Sequence, residues 1–425
     1  MRALLRACVV GGVVLGAVLA PAFSGAAAVS QEEIRELRAQ IAALSERLAE
    51  LEERAGIDED GNGLEETAAP APAPEPTPAP APRADHWTDR VAFSGDFRYR
   101  WETIDQEGSD SRERHRIRAR PAIVAQVNET VRTGFGLTTG GDNPVSANQT
   151  LGGGGTSKAI SLDLAYFEWS ALENTRILGG KFKRPLVRPG DSSLLWDDDW
   201  RPEGFAVLYN SGSLFGTAMA TWLEGDSRAG DEVAFALQGG GSFALGRGSS
   251  LSFSGGYYQI DVAGRQPLYE EAEFFGNSFA PDGSFLYDYH LLEVGGELDF
   301  VLGDWPVSVF ADYARNLEAG EYDTGWALGG TLGRAKDIGG WRIRYFYQDL
   351  EADAALGLLT DSNFGDGGTD ARGHVLSADY VIASNWVFRL TYFDNVINEN
   401  AVDRGVPGAE ELDYDRLILD FRYKY

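Results

Sequence analysis

The chain has 425 residues and a formal charge of −28, which excludes a generally basic, nucleic-acid-binding surface. It holds 52 glycines but only 2 methionines and 1 cysteine, so a disulfide-stapled scaffold is excluded too. Apolar residues make up 43% of the chain, yet after residue 28 they are interleaved with polar ones, and no run approaches the roughly 20 residues of a membrane-spanning helix.

Residues 1–28 read as a secretory signal peptide. MRALLR is a basic start, residues 9–20 form a short apolar core, and Ala26, Ala27 and Ala28 supply a small-residue cleavage site. Cys8 precedes the apolar core and leaves with the signal. Residues 29–56 predict a coiled-coil helix on the periplasmic side. Ile34, Leu37, Ile41, Leu44, Leu48 and Leu51 alternate at spacings of three and four, which is a heptad seam. The rod is about 35–40 Å long at ~1.5 Å per residue. Ile and Leu at the seam by themselves favour two strands, whereas Arg47-Leu48-Ala49-Glu50-Leu51-Glu52 resembles a trimer pattern. The expectation is a homotrimer, with a dimer as the alternative.

Residues 57–90 read as an acidic, then Pro/Ala-rich, linker. DEDGNG begins like a calcium loop, but the position that needs Glu is Ala69, so no metal is expected. PAPAPEPTPAPAP is an extended polyproline-II spacer.

From residue 91 the period changes to two. In VAFSGDFRYRWE, Val91, Phe93, Phe97, Tyr99 and Trp101 share one face, and Asp96, Arg98, Arg100 and Glu102 share the other. With this run included, about sixteen such runs extend to the C-terminus. Their connections alternate: short turns such as NET, NSGS and LGDW on one side, long loops on the other. That is the signature of a 16-stranded antiparallel transmembrane β-barrel over 91–425, an all-β fold preceded by the N-terminal coiled-coil helix. A soluble sandwich would not sort its loops by length. Trp101, Trp169, Trp305, Trp341 and Trp386 sit where an interfacial girdle would. Leu417, Leu419, Phe421, Tyr423 and the terminal Tyr425 alternate to the last residue, like the signal read by the barrel-assembly machinery.

SRERHRIRARP carries Arg112, Arg114, Arg116, Arg118 and Arg120 on one parity, opposite apolar residues. A charge on the lipid face costs ~2–4 kcal/mol near the midplane, so the ladder must face the lumen. Strand 16 closes on strand 1, so Arg416, Arg422 and Lys424 join Arg98, Arg100 and the ladder in one basic wall. Lys181 and Lys183 extend it. Glu293, Glu297 and Asp299 have inward parity on strand 10. The alternative is that the arginines pair with Asp96, Glu102 and Glu113 as a structural network.

The segment RERHRIRARPAIVAQVNETVRTGFGLTTGGDNPVSANQTLGGG, followed by LDLAYFEWS and GGKFKRP, resembles the bacterial family called putative porins, and more loosely so to Tyr425. The resemblance implies an outer-membrane channel without specifying a solute. By analogy with general porins it implies trimers and a third outer loop folded into the pore. That loop carries Asp191, Asp197, Asp198 and Asp199, which would then face the arginines; otherwise they cap the exterior. The rod also occurs in phosphate-selective porins, although the sequence around the ladder does not match theirs well.

The expected function is therefore a passive channel for small hydrophilic solutes and ions in the outer membrane of a Gram-negative-type bacterium. The alternatives are an anion- or phosphate-selective porin, or a barrel-anchored tether joining the outer membrane to the cell wall. Expected partners are outer-membrane lipid and lipopolysaccharide, the barrel-assembly machinery, other copies of the chain and peptidoglycan, but not nucleic acid. His86, His115, His290 and His374 are isolated, and no nucleophile elbow, phosphate loop or metal spacing occurs, so neither an enzyme nor a cofactor is expected.

Overall fold

The computed structural model describes residues 87–225, 230–269, 273–406 and 408–425. The signal peptide, the coiled-coil seam and the linker up to residue 86 lie outside the described residues. Trp87–Arg90 forms a short 3-10 turn that leads into the barrel.

Alternation of apolar and polar residues produces strands because successive side chains of a pleated backbone point to opposite faces. In chain order the strands are β1 (Val91–Gln106), β2 (Arg112–Gln126), β3 (Val131–Thr139), β4 (Ile160–Leu172), β5 (Thr175–Lys181), β6 (Glu203–Asn210), β7 (Leu214–Glu224) and β8 (Glu232–Gly246). They continue as β9 (Ser249–Ile260), β10 (Tyr289–Leu302), β11 (Trp305–Asn316), β12 (Thr324–Gly333), β13 (Trp341–Leu350), β14 (Ala371–Ala383), β15 (Trp386–Ile397) and β16 (Leu412–Lys424). A two-residue piece, Gln149–Thr150, adds to β2 from within a loop.

Each strand pairs antiparallel with its sequence neighbour, and β1 pairs with β16 from Asp96↔Lys424 to Gln106↔Tyr414, so the sheet is a closed 16-stranded barrel. At the seam the chain end completes the ladder: Gly95 N–H donates to Tyr425 O (2.9 Å), and Tyr425 N–H donates to Gly95 O (3.1 Å). Closure leaves no unpaired edge, the condition for a sheet in lipid.

The burial pattern is inside-out. Ile160, Leu237 and Val294 point outward and are 70%, 64% and 65% exposed in the isolated chain, while inward-facing Glu102 and Arg416 are 0% and 2% exposed. An outward apolar band of this kind is what transmembrane barrels present to their surroundings. Aromatic contacts cluster at the short-turn end. Trp305 stands 5.0 Å from Trp341, Trp386 stands 5.0 Å from Tyr423, and Phe93 stacks at 5.7 Å on Tyr425.

The short turns suit tight antiparallel hairpins. Arg247 and Gly248 link β8 to β9 with φ of 52° and 76°, and Asn385 (φ 64°) follows Ser384 between β14 and β15. At the other end the segments 140–159, 182–202, 261–288, 351–370 and 398–411 are long, and several turn inward. Leu194, Leu195, Trp196 and Trp200 from 182–202, Phe274 and Phe285 from 261–288, and Leu356, Leu358 and Leu359 from 351–370 meet inward Tyr258, Tyr289 and Leu291 in the larger of two apolar clusters. Asn277 stitches two of these loops. Its Nδ2 donates to Ala352 O (2.7 Å) and Ala355 O (2.8 Å), and its Oδ1 accepts from Gly357 N (2.8 Å). Arg404 from 398–411 bonds Asp370 (2.6 Å) and Ser278 (3.0 Å), so three loops form one structured mass at the long-loop end.

Candidate functional site

The polar face of each strand lines the barrel interior, and its charges are sorted by strand. Even-numbered positions of β1, β2 and β16 point inward, which places the whole ladder from Arg112 to Arg120 on the luminal side with Arg98, Arg100, Arg416, Arg422 and Lys424. Leu417, Leu419, Phe421, Tyr423 and Tyr425 take the outward parity.

Most of the ladder is neutralised in place. Glu102 accepts from Arg416 (2.5 Å) and lies 2.7 Å from Arg114 and 3.4 Å from Arg116. Asp96 holds Arg118 (2.8 Å) and Arg120 (2.9 Å). Asp420 takes a two-pronged bond from Arg100 (2.7 and 2.8 Å). Arg112, at the rim, is 4.0 Å from Asp366. Of the three acids that the sequence offered as partners, Asp96 and Glu102 pair with the arginines on the luminal face, Glu113 has the outward parity and pairs with none of them among the described residues, and Asp420 joins instead.

The wall is wider than the ladder. Arg342 and Arg389 clamp Asp379 between β13 and β15 at 2.7 and 2.9 Å. Arg344 stacks over Phe310 and Phe346, its guanidinium carbon 5.1 and 4.9 Å from the two ring centres. Sequence reasoning missed Arg342, Arg344, Arg389, Asp379 and Asp420. The signal was present, because WRIRYFYQ alternates inward arginine with outward aromatic just as β1 does.

The segment 182–202 crosses the interior. Near β8 it is held by Gln238, which accepts from Val187 N (2.8 Å) and donates to Val187 O (2.9 Å). Gly190 N–H donates to Glu297 on β10 (2.9 Å). Glycine is required at 190: φ is +61°, and a Cβ there would lie 2.2 Å from the Phe310 ring. The return limb stacks Trp196 on Trp200 (5.0 Å) and ends with Asp199 on the ladder, 2.9 Å from Arg118 and 2.8 Å from Arg120.

The four loop aspartates therefore have four different surroundings. Asp199 touches the arginines directly; despite burial, Arg118, Arg120 and Arg98 hold its carboxyl far below the usual range. Asp198 is exposed at the loop's edge and pairs with Arg188, which lowers its carboxyl. Asp197 is buried against 351–370 and accepts from Ser362 N (2.9 Å) and Asp199 N (2.6 Å). Burial, and next the Asp199 charge, push it up to about 8. Asp191 is exposed and acts electrostatically on Arg344 and Arg389. Of the four acids expected to face the arginines or cap the exterior, one is thus clamped by the arginines, one is exposed near the wall, one is paired within the loop and one is buried. Burial is the reason for the two withdrawn acids: an aspartate that loses its hydration bonds to the nearest donor, as Asp197 and Asp199 do.

Lys181 bonds Glu203 (2.5 Å) and stands at the end of β5. Lys183 is exposed and feels both Asp96 and Arg120, so it lies beside the ladder. On the opposite side Glu293 accepts from Tyr258 (2.5 Å), Asp299 accepts from Ser250 (3.1 Å), and Ser242 bonds Ser252 (2.9 Å). This side is acidic and hydroxyl-rich, whereas β13 through β2 is basic.

A closed 16-stranded barrel with an apolar exterior, a charged interior and an inserted loop defines the chain as an outer-membrane channel of the porin class. The family model described as "Putative porin" matches residues 104–272 and 306–409, and the chain belongs to that family. Among solved structures, OprB of Pseudomonas putida (high-pH form) is similar with a TM-score of 0.55 at 13% identity, over 80% of this chain and 95% of that one. Salmonella typhi OmpF in complex with daunomycin aligns at 14% identity over 79% of this chain and 97% of that one, with a TM-score of 0.47. No curated protein matches the sequence significantly.

Proposed function

We propose that the barrel is a passive diffusion channel for small hydrophilic solutes and ions, narrowed at mid-height by 182–202 and lined on one side by the arginine-rich wall of β13 to β2. The observation that carries this reading is the inversion of burial: charge inside, apolar surface outside, and a loop anchored to two opposite stretches of wall. The family and fold point to a non-enzymatic channel. Planar-bilayer recording of the purified protein tests it. Discrete ohmic steps are expected, and a protein that inserts without conducting sinks the reading.

The wall residues named from the sequence, with Arg342, Arg344 and Arg389 added, are proposed to line the path. Asp191 is the proposed acidic lip, and Asp197, Asp198 and Asp199 seat the loop. The outward alternation from Leu417 to Tyr425 fits recognition by the assembly machinery, and the apolar band fits lipid and lipopolysaccharide. The heptad seam from Ile34 to Leu51 supports a homotrimer with a periplasmic coiled coil. The same heptad seam, with the proline-rich spacer that follows it in sequence, supports a second role as a tether to peptidoglycan; the two roles are compatible.

A further inference from the structure

We infer that the luminal wall holds a seat for a small oxyanion at Arg98 and Arg422, with a phosphate-, sulfate- or carboxylate-bearing solute as its occupant. This rests on the channel reading and adds the charge class of what passes.

The strand register sets the charges in rows across the wall. One row reads Lys424–Asp96–Arg120 and alternates in sign. Four residues further along the strands the row reads Arg342–Asp379–Arg389–Asp420–Arg100–Arg116, also alternating until its last step. The row between them breaks the pattern. Arg422 stands directly opposite Arg98, and Arg98 directly opposite Arg118, with no carboxylate in line. Like charges directly opposite one another destabilise a sheet.

The neighbouring acids are already committed. Asp96 is held by Arg118 and Arg120, Asp379 by Arg342 and Arg389, and Asp420 by both prongs of Arg100. Arg118 also has Asp199 (2.9 Å). Arg98 gets less: Asn148 Oδ1 at 2.5 Å, a distant Asp420 at 4.0 Å, and the field of Asp199, whose ion pairs go to Arg118 and Arg120. It is only 8% exposed, and its Nε is buried without a hydrogen-bond partner. Arg422, half-buried, has no hydrogen bond or ion pair among the described residues. Two adjacent, partly desolvated guanidiniums with spare donors need a counter-ion. Their planar forks match an oxyanion. The ladder that dominates the sequence is therefore the saturated part of the wall, and Arg98 on β1 and Arg422 on β16 carry the spare guanidinium donors beside it.

The test uses the full-length protein and inorganic phosphate. In planar bilayers, phosphate should reduce KCl conductance saturably. Arg422→Gln should raise the half-blocking concentration about tenfold and move the reversal potential in asymmetric KCl toward cations. Arg422→Lys, which keeps the charge but loses the fork, should fall between. Lys336→Gln, in a turn outside the barrel, should match the native protein. In detergent, phosphate should raise the unfolding temperature of the native protein but not of Arg98→Gln or Arg422→Gln, a readout that needs no conduction. A conducting channel with the same phosphate half-block in Arg422→Gln, or a native protein that phosphate neither blocks nor stabilises, overturns the seat. Absence of conductance together with phosphate stabilisation overturns only the channel reading.

Discussion

Glu102 and Arg416 meet across the β1–β16 seam at 2.5 Å, and they are 0% and 2% exposed. The contact joins the first strand to the last and closes the sheet, and the same carboxylate serves Arg114 (2.7 Å) and Arg116 (3.4 Å). One acid thus organises three strands, and its removal leaves several buried cations without a counter-charge.

Glu102→Gln should therefore destabilise the barrel by about 3–5 kcal/mol, the usual cost of breaking a buried pair by removing one partner. The apolar double variant Glu102→Leu with Arg416→Met should recover part of that loss. Denaturant midpoints of the folded species, followed by its shifted mobility on gels, measure both. A single variant as stable as the native barrel would show that the seam does not depend on this ion pair.

Asp199→Asn frees Arg118 and Arg120 from their loop partner while Asp96 remains. The reversal potential in asymmetric KCl should move toward anions, with noisier open-channel current as 182–202 loosens. Arg116→Glu with Arg118→Glu should move it toward cations. If neither the single nor the double variant moves the potential, these groups lie outside the ion path.

The buried Asp197 predicts a pH dependence. Its acid is pushed up to about 8, above the ordinary carboxylate value of about 4. A raised acid contributes stability that is full below its unfolded value and is lost as pH climbs through its folded one. Ionisation beside Asp199 and Asp361 should loosen the contact between 182–202 and 351–370, so current fluctuations should increase between about pH 6 and pH 9. Asp197→Asn should flatten the profile. Single-channel records across that range decide; a native channel indifferent to pH there refutes the assignment.

Gly95 and Tyr425 make a size-matched pair at the closing seam. A Cβ at Gly95 would lie 2.6 Å from the Tyr425 ring and 2.7 Å from Arg120 O, so Gly95→Val must displace the terminal residue. The variant, like deletion of Tyr425, should yield less folded barrel from refolding or from cells. Heat-modifiable mobility gives the folded fraction, and an undiminished yield from both would show that the terminal pair is dispensable.

Deletion of residues 31–54 should abolish trimers or cell-wall association while leaving single-channel conductance unaltered. Crosslinking and bilayer recording on the same preparation separate the two effects. A deletion variant that folds but does not conduct would contradict independent roles for rod and barrel.

Much of this architecture was legible in the residues alone. The inward parity of Arg112 to Arg120, the outward parity of Leu417 to Tyr425 and the alternation of short and long connections are properties of single strands and their turns, and a pleated backbone enforces them locally. Asp420 and Arg344 obey the same parity and were within reach of it. What no single strand contains is register. Whether Arg98 meets an acid or another arginine depends on how β16 and β2 slide against β1, and the closed shear of the barrel decides that. The seating of 182–202 is likewise non-local. Trp196, Leu194 and Asp199 find their partners on other loops and on β2 only when the interior is assembled and its water displaced. The sequence by itself determined a barrel with charge inside; the tertiary structure decided which of those charges are cancelled and which remain free to meet a solute.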